Sequence, residues 1–177
     1  MNNELQSVID AVRTATAIDH KRTEESFAVA LSRLPSSYGA YLRIHAAAFP
    51  AVGRALSAEL DWSPWQDRWN DLQDDLRSLG LQAPTAHDVA RAASPAEALG
   101  MVYVLEGSRM GSAIILKSIP DALPAAYLRG AINVEPWRRL REMLTQADPR
   151  ESRGVIAGAR AAFAAFREAA LAHGSAT

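Results

Sequence analysis

The sequence predicts an all-α fold, a single-domain bundle of seven or eight helices over residues 1–177. Apolar residues recur at intervals of three and four rather than two. Alanine, leucine and arginine dominate, and runs of β-branched residues are scarce. Start and stop signals divide the chain into segments of helical length. At 177 residues the chain is long enough for one real core and short for two.

Residues 4–33 read as one or two helices, with Val8, Val12, Ala15 and Ile18 at helical spacing. Leu34-Pro35-Ser36-Ser37 breaks the pattern and supplies a cap. Residues 38–60 form the next helix, with a kink expected where Pro50 removes a donor. Ser63-Pro64 opens a helix over 64–79, closed by Gly80 as a C-cap. A short element is expected at 85–92. Ser94-Pro95-Ala96-Glu97 joins a capping-box spacing to proline at the first helical position and starts a helix running to Lys117. Pro120 and Pro124 punctuate a turn and a short helix ending near Arg129; 134–146 and 150–172 supply the last helices, and 174–177 a frayed end.

Composition excludes several classes of function. A formal net charge of -1 argues against a general nucleic-acid or membrane-surface binder. The chain has no cysteine, which removes disulfide, thiolate and iron–sulfur chemistry. The first ten residues, MNNELQSVID, do not read as a signal peptide, and no apolar run is read as membrane-spanning, so a cytoplasmic location is expected.

The four histidines, His20, His45, His87 and His173, share no i, i+3 or i, i+4 relation, so local spacing builds no multi-histidine metal site. A single axial histidine to a haem needs no such spacing, because haem brings four nitrogens of its own. His20 has Glu24 four residues on, where a carboxylate can take the ring proton on the nitrogen that does not bind iron. His-x-x-x-Glu also arises easily on an exposed, charged helix face, and Lys21, Arg22 and Glu25 surround it. His45 lies among apolar residues and reads as buried and hydrogen-bonded, His87 as a loop or first-turn residue and His173 as part of the tail.

LEGSRMGSA, residues 105–113, interrupts the apolar 95–117 helix with two glycines four apart. Each costs about 1 kcal/mol relative to alanine in a helix. Gly107 and Gly111 therefore serve close helix packing, a hinge, or a flat ligand pressed on the backbone. Ser108 and Arg109 put a hydroxyl and a charge where pure packing would keep an apolar surface.

Two segments together resemble the biliverdin-producing haem oxygenases. TATAIDHKRTEESF is similar to that family's proximal pattern, and ALGMVYVLEGSRMGSAIILK to its bacterial distal-helix pattern Tyr-Val-x-Glu-Gly-Ser-x-x-Gly. YLRIHAAAFPAVGRAL and ARAAFAAFREAAL resemble the branch found beside bacterial phytochromes. The resemblance implies His20 as the iron ligand, Glu24 as its hydrogen-bond partner, and Gly107 and Gly111 over the opposite haem face. Ser108 stands where some members carry an aspartate that anchors a water network. Arg13 and Tyr103 match positions that meet the haem propionates; Arg160 and Arg167 are further basic candidates near the C-terminus.

The implied activity is the oxidation of haem, with O2 and electrons from an external donor, to biliverdin, CO and free iron. A phytochrome is the implied acceptor of the product in this branch. Two other readings are a haem-binding or haem-sensing protein without turnover, and a helical interaction domain in which the glycines pack helices.

Overall fold

The computed structural model describes residues 7–174. Among these it has eight α-helices: α1 (Val8–Ala15), α2 (Ala17–Ser32), α3 (Tyr38–Leu56), α4 (Pro64–Ser78), α5 (Pro95–Leu116), α6 (Ala126–Gly130), α7 (Glu135–Gln146) and α8 (Ser152–His173). A 3-10 turn at Pro149–Glu151 leads into α8, and no strand occurs among the described residues. The expectations at residues 1–6 and 175–177 lie outside the described residues.

The helix ends follow local chemistry. Ser7 Oγ accepts from the Asp10 N–H at 3.3 Å and starts α1. At Ser94 the box closes both ways: Ser94 Oγ accepts from the Glu97 N–H at 3.2 Å, and Glu97 reaches back to the Ala93 N–H at 2.8 Å. Gly80, at φ 70°, ends α4. The N–H of Leu81 returns to Leu76 O at 2.9 Å and that of Gly80 to Arg77 O at 3.0 Å, a Schellman motif.

Two boundaries differ from the sequence reading, and one alternative that it left open is decided. The first segment is two helices, parted at Thr16, whose hydroxyl donates to Val12 O at 2.7 Å. Val8 and Val12 are buried, but Ile18, just past the break, is exposed. Pro50 sits inside α3, which remains one helix and ends at Leu56 rather than residue 60. Residues 85–92 form no regular element; the N–H groups of His87 and Ala92 donate to Ala47 O and Ala55 O of α3. These donors are satisfied across the chain rather than within a turn.

α5 is the central helix and packs most extensively on α8. The two backbones approach through Gly100 and Gly158. A Cβ on Gly158 would stand 1.9 Å from Glu97 O, closer than any side chain tolerates. α3, buried along most of its length, packs on α4, α5 and α8, and α2 lies on α8 and α3. Asp19 fixes α2 to α8 through Arg167 at 3.4 Å and Arg160 at 3.5 Å. Those two arginines therefore already have a carboxylate partner. By length and composition α5 reaches what a membrane span requires, contrary to the sequence reading. Half of its most apolar stretch is buried inside this fold.

Candidate functional site

A cleft of about 400 Å³ opens between α2 and α5, with α3, α7 and α8 completing its walls. His20 and Glu24 come to it from α2, and Tyr103, Gly107, Ser108 and Gly111 from α5. Residues 79 or more positions apart in sequence are thus brought to one space. Phe27, Phe163 and Phe166 make much of the rest apolar.

On the α2 side the His20 ring is more than half exposed, with the edge of Phe163 5.8 Å away between centroids. Its Nδ1 is 3.6 Å from Glu24 Oε2, longer than a direct hydrogen bond. On the α5 side, a Cβ added to Gly107 or Gly111 would meet nothing within 4 Å. Neither glycine packs a helix, and α5 runs through both without a break. The packing role belongs to Gly100 and Gly158, and the bare backbone at 107–111 borders the cleft instead. The cleft thus offers one imidazole on its α2 wall and open helix backbone on its α5 wall, with an apolar lining between them.

Of the predicted residues, Arg13 does not line the cleft. It lies on α1, exposed, and pairs with Asp10 at 2.9 Å. It is near enough to Tyr103 for its charge to oppose the upward shift that burial imposes on that phenol. Arg109 also turns away from the cleft, bonding to buried Glu106 and, at 2.8 Å, to Gly130 O. Trp62 Nε1–H donates to the other Glu106 oxygen at 2.9 Å, so this buried ion pair is fully tied into the core.

Behind Ser108 lies a polar chain that the sequence reading left unassigned. Arg68 of α4 is 2% exposed and donates to Leu105 O at 2.9 Å, Ser108 Oγ at 3.1 Å and Tyr127 OH at 3.1 Å. Its guanidinium also lies over the rings of Phe49 and Tyr127, each centroid 4.8 Å away. Ser108 gives its own proton to Leu105 O at 2.7 Å, so both ends of the hydroxyl are fixed. Since arginine only donates, the Tyr127 hydroxyl accepts from Arg68 and passes its proton to His45 Nδ1, 2.7 Å away. His45, buried against Tyr41, Phe27 and Phe166, is held neutral: burial and then the Arg68 charge push its pKa down to about 3. Its remaining proton is therefore on Nε2, which makes it a hydrogen-bond donor on the cleft wall rather than a free lone pair.

The sequence carries a signal for Arg68. Trp65, Arg68, Leu72, Asp75 and Leu76 follow one buried stripe of α4, and two of the five are charged. Asp75 accounts for itself by accepting the N–H groups of Ala126 and Tyr127 at 2.9 and 3.0 Å at the start of α6.

Among the described residues, then, eight helices enclose a largely apolar cleft with a histidine on one wall and bare helix backbone on the other. Comparison with known proteins gives the family. No family model matches the chain. The chain is 33% identical over 146 residues to the haem oxygenase of Xanthomonas campestris pv. campestris (strain 8004), covering 73% of this chain and 86% of that one. Its fold matches that of the NO- and CO-bound haem oxygenase from Neisseria meningitidis with a TM-score of 0.72 at 20% identity, over 96% of this chain and 92% of the other. The chain belongs to the haem oxygenase family and is a haem-degrading enzyme.

Proposed function

We propose that His20 binds the haem iron and that the open backbone at Gly107 and Gly111 covers the opposite face of the macrocycle. The observation that carries this reading is the empty space beside both glycines, across the cleft from the one exposed ring in it. Haem, when bound, supplies the iron that takes up O2 and the porphyrin edge that is oxidised to biliverdin, CO and free iron.

The chain's own residues bind and orient. Glu24, its Oε2 3.6 Å from His20 Nδ1, biases the ring proton to Nδ1 and leaves Nε2 for the metal. The missing side chains at 107 and 111 let a flat ligand lie against α5. Arg68 fixes Ser108, and through Tyr127 it fixes the tautomer of His45. The cleft therefore has two preset polar groups and no titrating acid on its α5 wall. Tyr103 and Arg13 receive the propionates at the α1 end, where Trp137 stands against Tyr103. Electrons come from an external donor, the product passes to a bacterial phytochrome, and the chain works in the cytoplasm as one domain.

The test is the ferric spectrum of the haemin complex, followed by biliverdin formation with a reductant. The parent forms a Soret band and biliverdin. His20→Ala loses the axial-histidine spectrum and regains it with added imidazole. His45→Ala keeps that spectrum. A His20→Ala protein whose spectrum equals the parent's would overturn the assignment.

A further inference from the structure

Among the described residues, four buried side-chain atoms have no hydrogen-bond partner: Tyr38 OH, Arg43 Nε, Arg68 Nε and His87 Nε2. Folded proteins leave few such groups, because each carries its full desolvation cost. Arg68 Nε is the one held between two aromatic rings. The other three gather in one place away from the cleft. Tyr38 and Arg43 line a second cavity, of about 600 Å³, at the start of α3. His173 lines it too, with the His87 ring 6.0 Å behind. The two cavities share no lining residue.

The backbone there is also short of acceptors. Tyr38 N–H donates to Pro35 O and Tyr41 N–H to Ser37 O, both at 3.1 Å, while those of Gly39 and Ala40 between them have no backbone acceptor. Ser37, the residue placed to cap α3, sends its hydroxyl proton to Ala30 O instead. These two amides lie at the positive end of a 19-residue helix. Arg43 adds a full charge and forms no ion pair among the described residues. Asp75, whose charge acts on Tyr38, has both oxygens taken by backbone N–H groups and Arg129 close by. The rest of the wall is Leu79, Leu81 and Leu123.

We propose that this cavity is a second binding site, for a compact oxyanion. Its head group is a carboxylate or phosphate held by Arg43, the Tyr38 hydroxyl and the amides of Gly39 and Ala40. The leucine wall takes an apolar body where the ligand has one. Four donors, one of them a cation, border this cavity, which is the pattern by which helix N-termini and arginine recognise oxyanions. The site is independent of haem binding.

The experiment is an NMR titration of the whole chain with two probes, inorganic phosphate and benzoate, read at Gly39, Ala40 and His173. His173 adds a second readout. Burial, then the Arg43 charge and His87, lower its pKa, and a bound anion reverses part of that lowering. Saturable shifts are expected with at least one probe. Benzoate binding tighter identifies a carboxylate with an apolar body, and phosphate binding tighter a free or esterified phosphate. Arg43→Gln should weaken binding at least about tenfold, and Tyr38→Phe by a smaller factor. The haemin spectrum and biliverdin yield of Arg43→Gln should equal the parent's, which shows that the variant is folded. No saturable shift with either probe, or equal binding by Arg43→Gln, overturns the proposal.

Discussion

Gly100 of α5 lies so close to Val155 of α8 that a Cβ on the glycine would stand 1.9 Å from the valine's carbonyl oxygen. Backbone cannot rotate away as a side chain can, so the helices would have to separate. Gly100→Ala should cost about 1–3 kcal/mol, at the upper end of ordinary overpacking. At this chain length that lowers Tm by several degrees. Gly107→Ala, where nothing lies within 4 Å, should instead gain about 0.5–1 kcal/mol from helix propensity. Thermal melts of the haem-free proteins decide between the two signs.

Gly111→Leu tests the cover itself. The haem-free variant should melt no lower than the parent, since leucine is the better helix former and meets open space. Biliverdin yield per folded molecule should fall sharply, because the leucine fills the cleft. A lower melting point with unimpaired turnover would return Gly111 to a packing role.

How the sites were encoded explains what the sequence could and could not reveal. Helix ends were legible because caps are local: Ser94 with Glu97 and Gly80 act within a few residues. His20, Glu24, Tyr103 and the 107–111 glycines were legible because a motif keeps them at fixed spacing. Their common cleft was only implied. The same kind of residue misled elsewhere, since glycines four apart suggest packing, yet the packing glycines are Gly100 and Gly158, 58 positions apart in the numbering. The Arg68–Tyr127–His45 chain joins three helices and has no spacing to read; only the charge on the buried stripe of α4 betrays it. Arg13 belongs to a different helix from His20, so spacing along a single helix does not place it.

Acid sensitivity should follow from His45. Its folded pKa, about 3, lies below the ordinary value of 6.5, so the unfolded chain binds the proton more readily. The stabilisation linked to neutral His45 is complete above pH 6.5 and declines as pH falls from 6.5 towards 3. A tenfold difference in proton affinity between the folded and unfolded chains is worth about 1.4 kcal/mol. Between pH 7 and pH 4 the parent should lose more thermal stability than His45→Gln, which carries no titrating ring. Equal losses would mean that His45 is not neutral and enclosed in solution.

Arg13 and Tyr103 should govern the orientation of haem more than its affinity. An exposed ion pair such as one with Arg13 is worth about 0–1 kcal/mol. A rotation of the macrocycle in its plane, however, changes which meso edge faces the reacting oxygen. Chromatography of the biliverdin isomers from Arg13→Ala with Tyr103→Phe should show a changed distribution. A single, unchanged isomer would count against both residues.

The clasp at Gly100 gives α5 the mechanics of a cantilever. One end is pinned backbone to backbone on α8, and the span beyond it carries the glycines that border the cleft. Gly111 lies eleven residues past the pin, roughly 16 Å along the axis at 1.5 Å per residue. A tilt of about 4° about that pin displaces Gly111 by roughly 1 Å, while Gly100 hardly moves. Leu105, Glu106 and Arg109, buried between the pin and Gly111, brace that span, so their packing and the fulcrum together set the width of the aperture over His20.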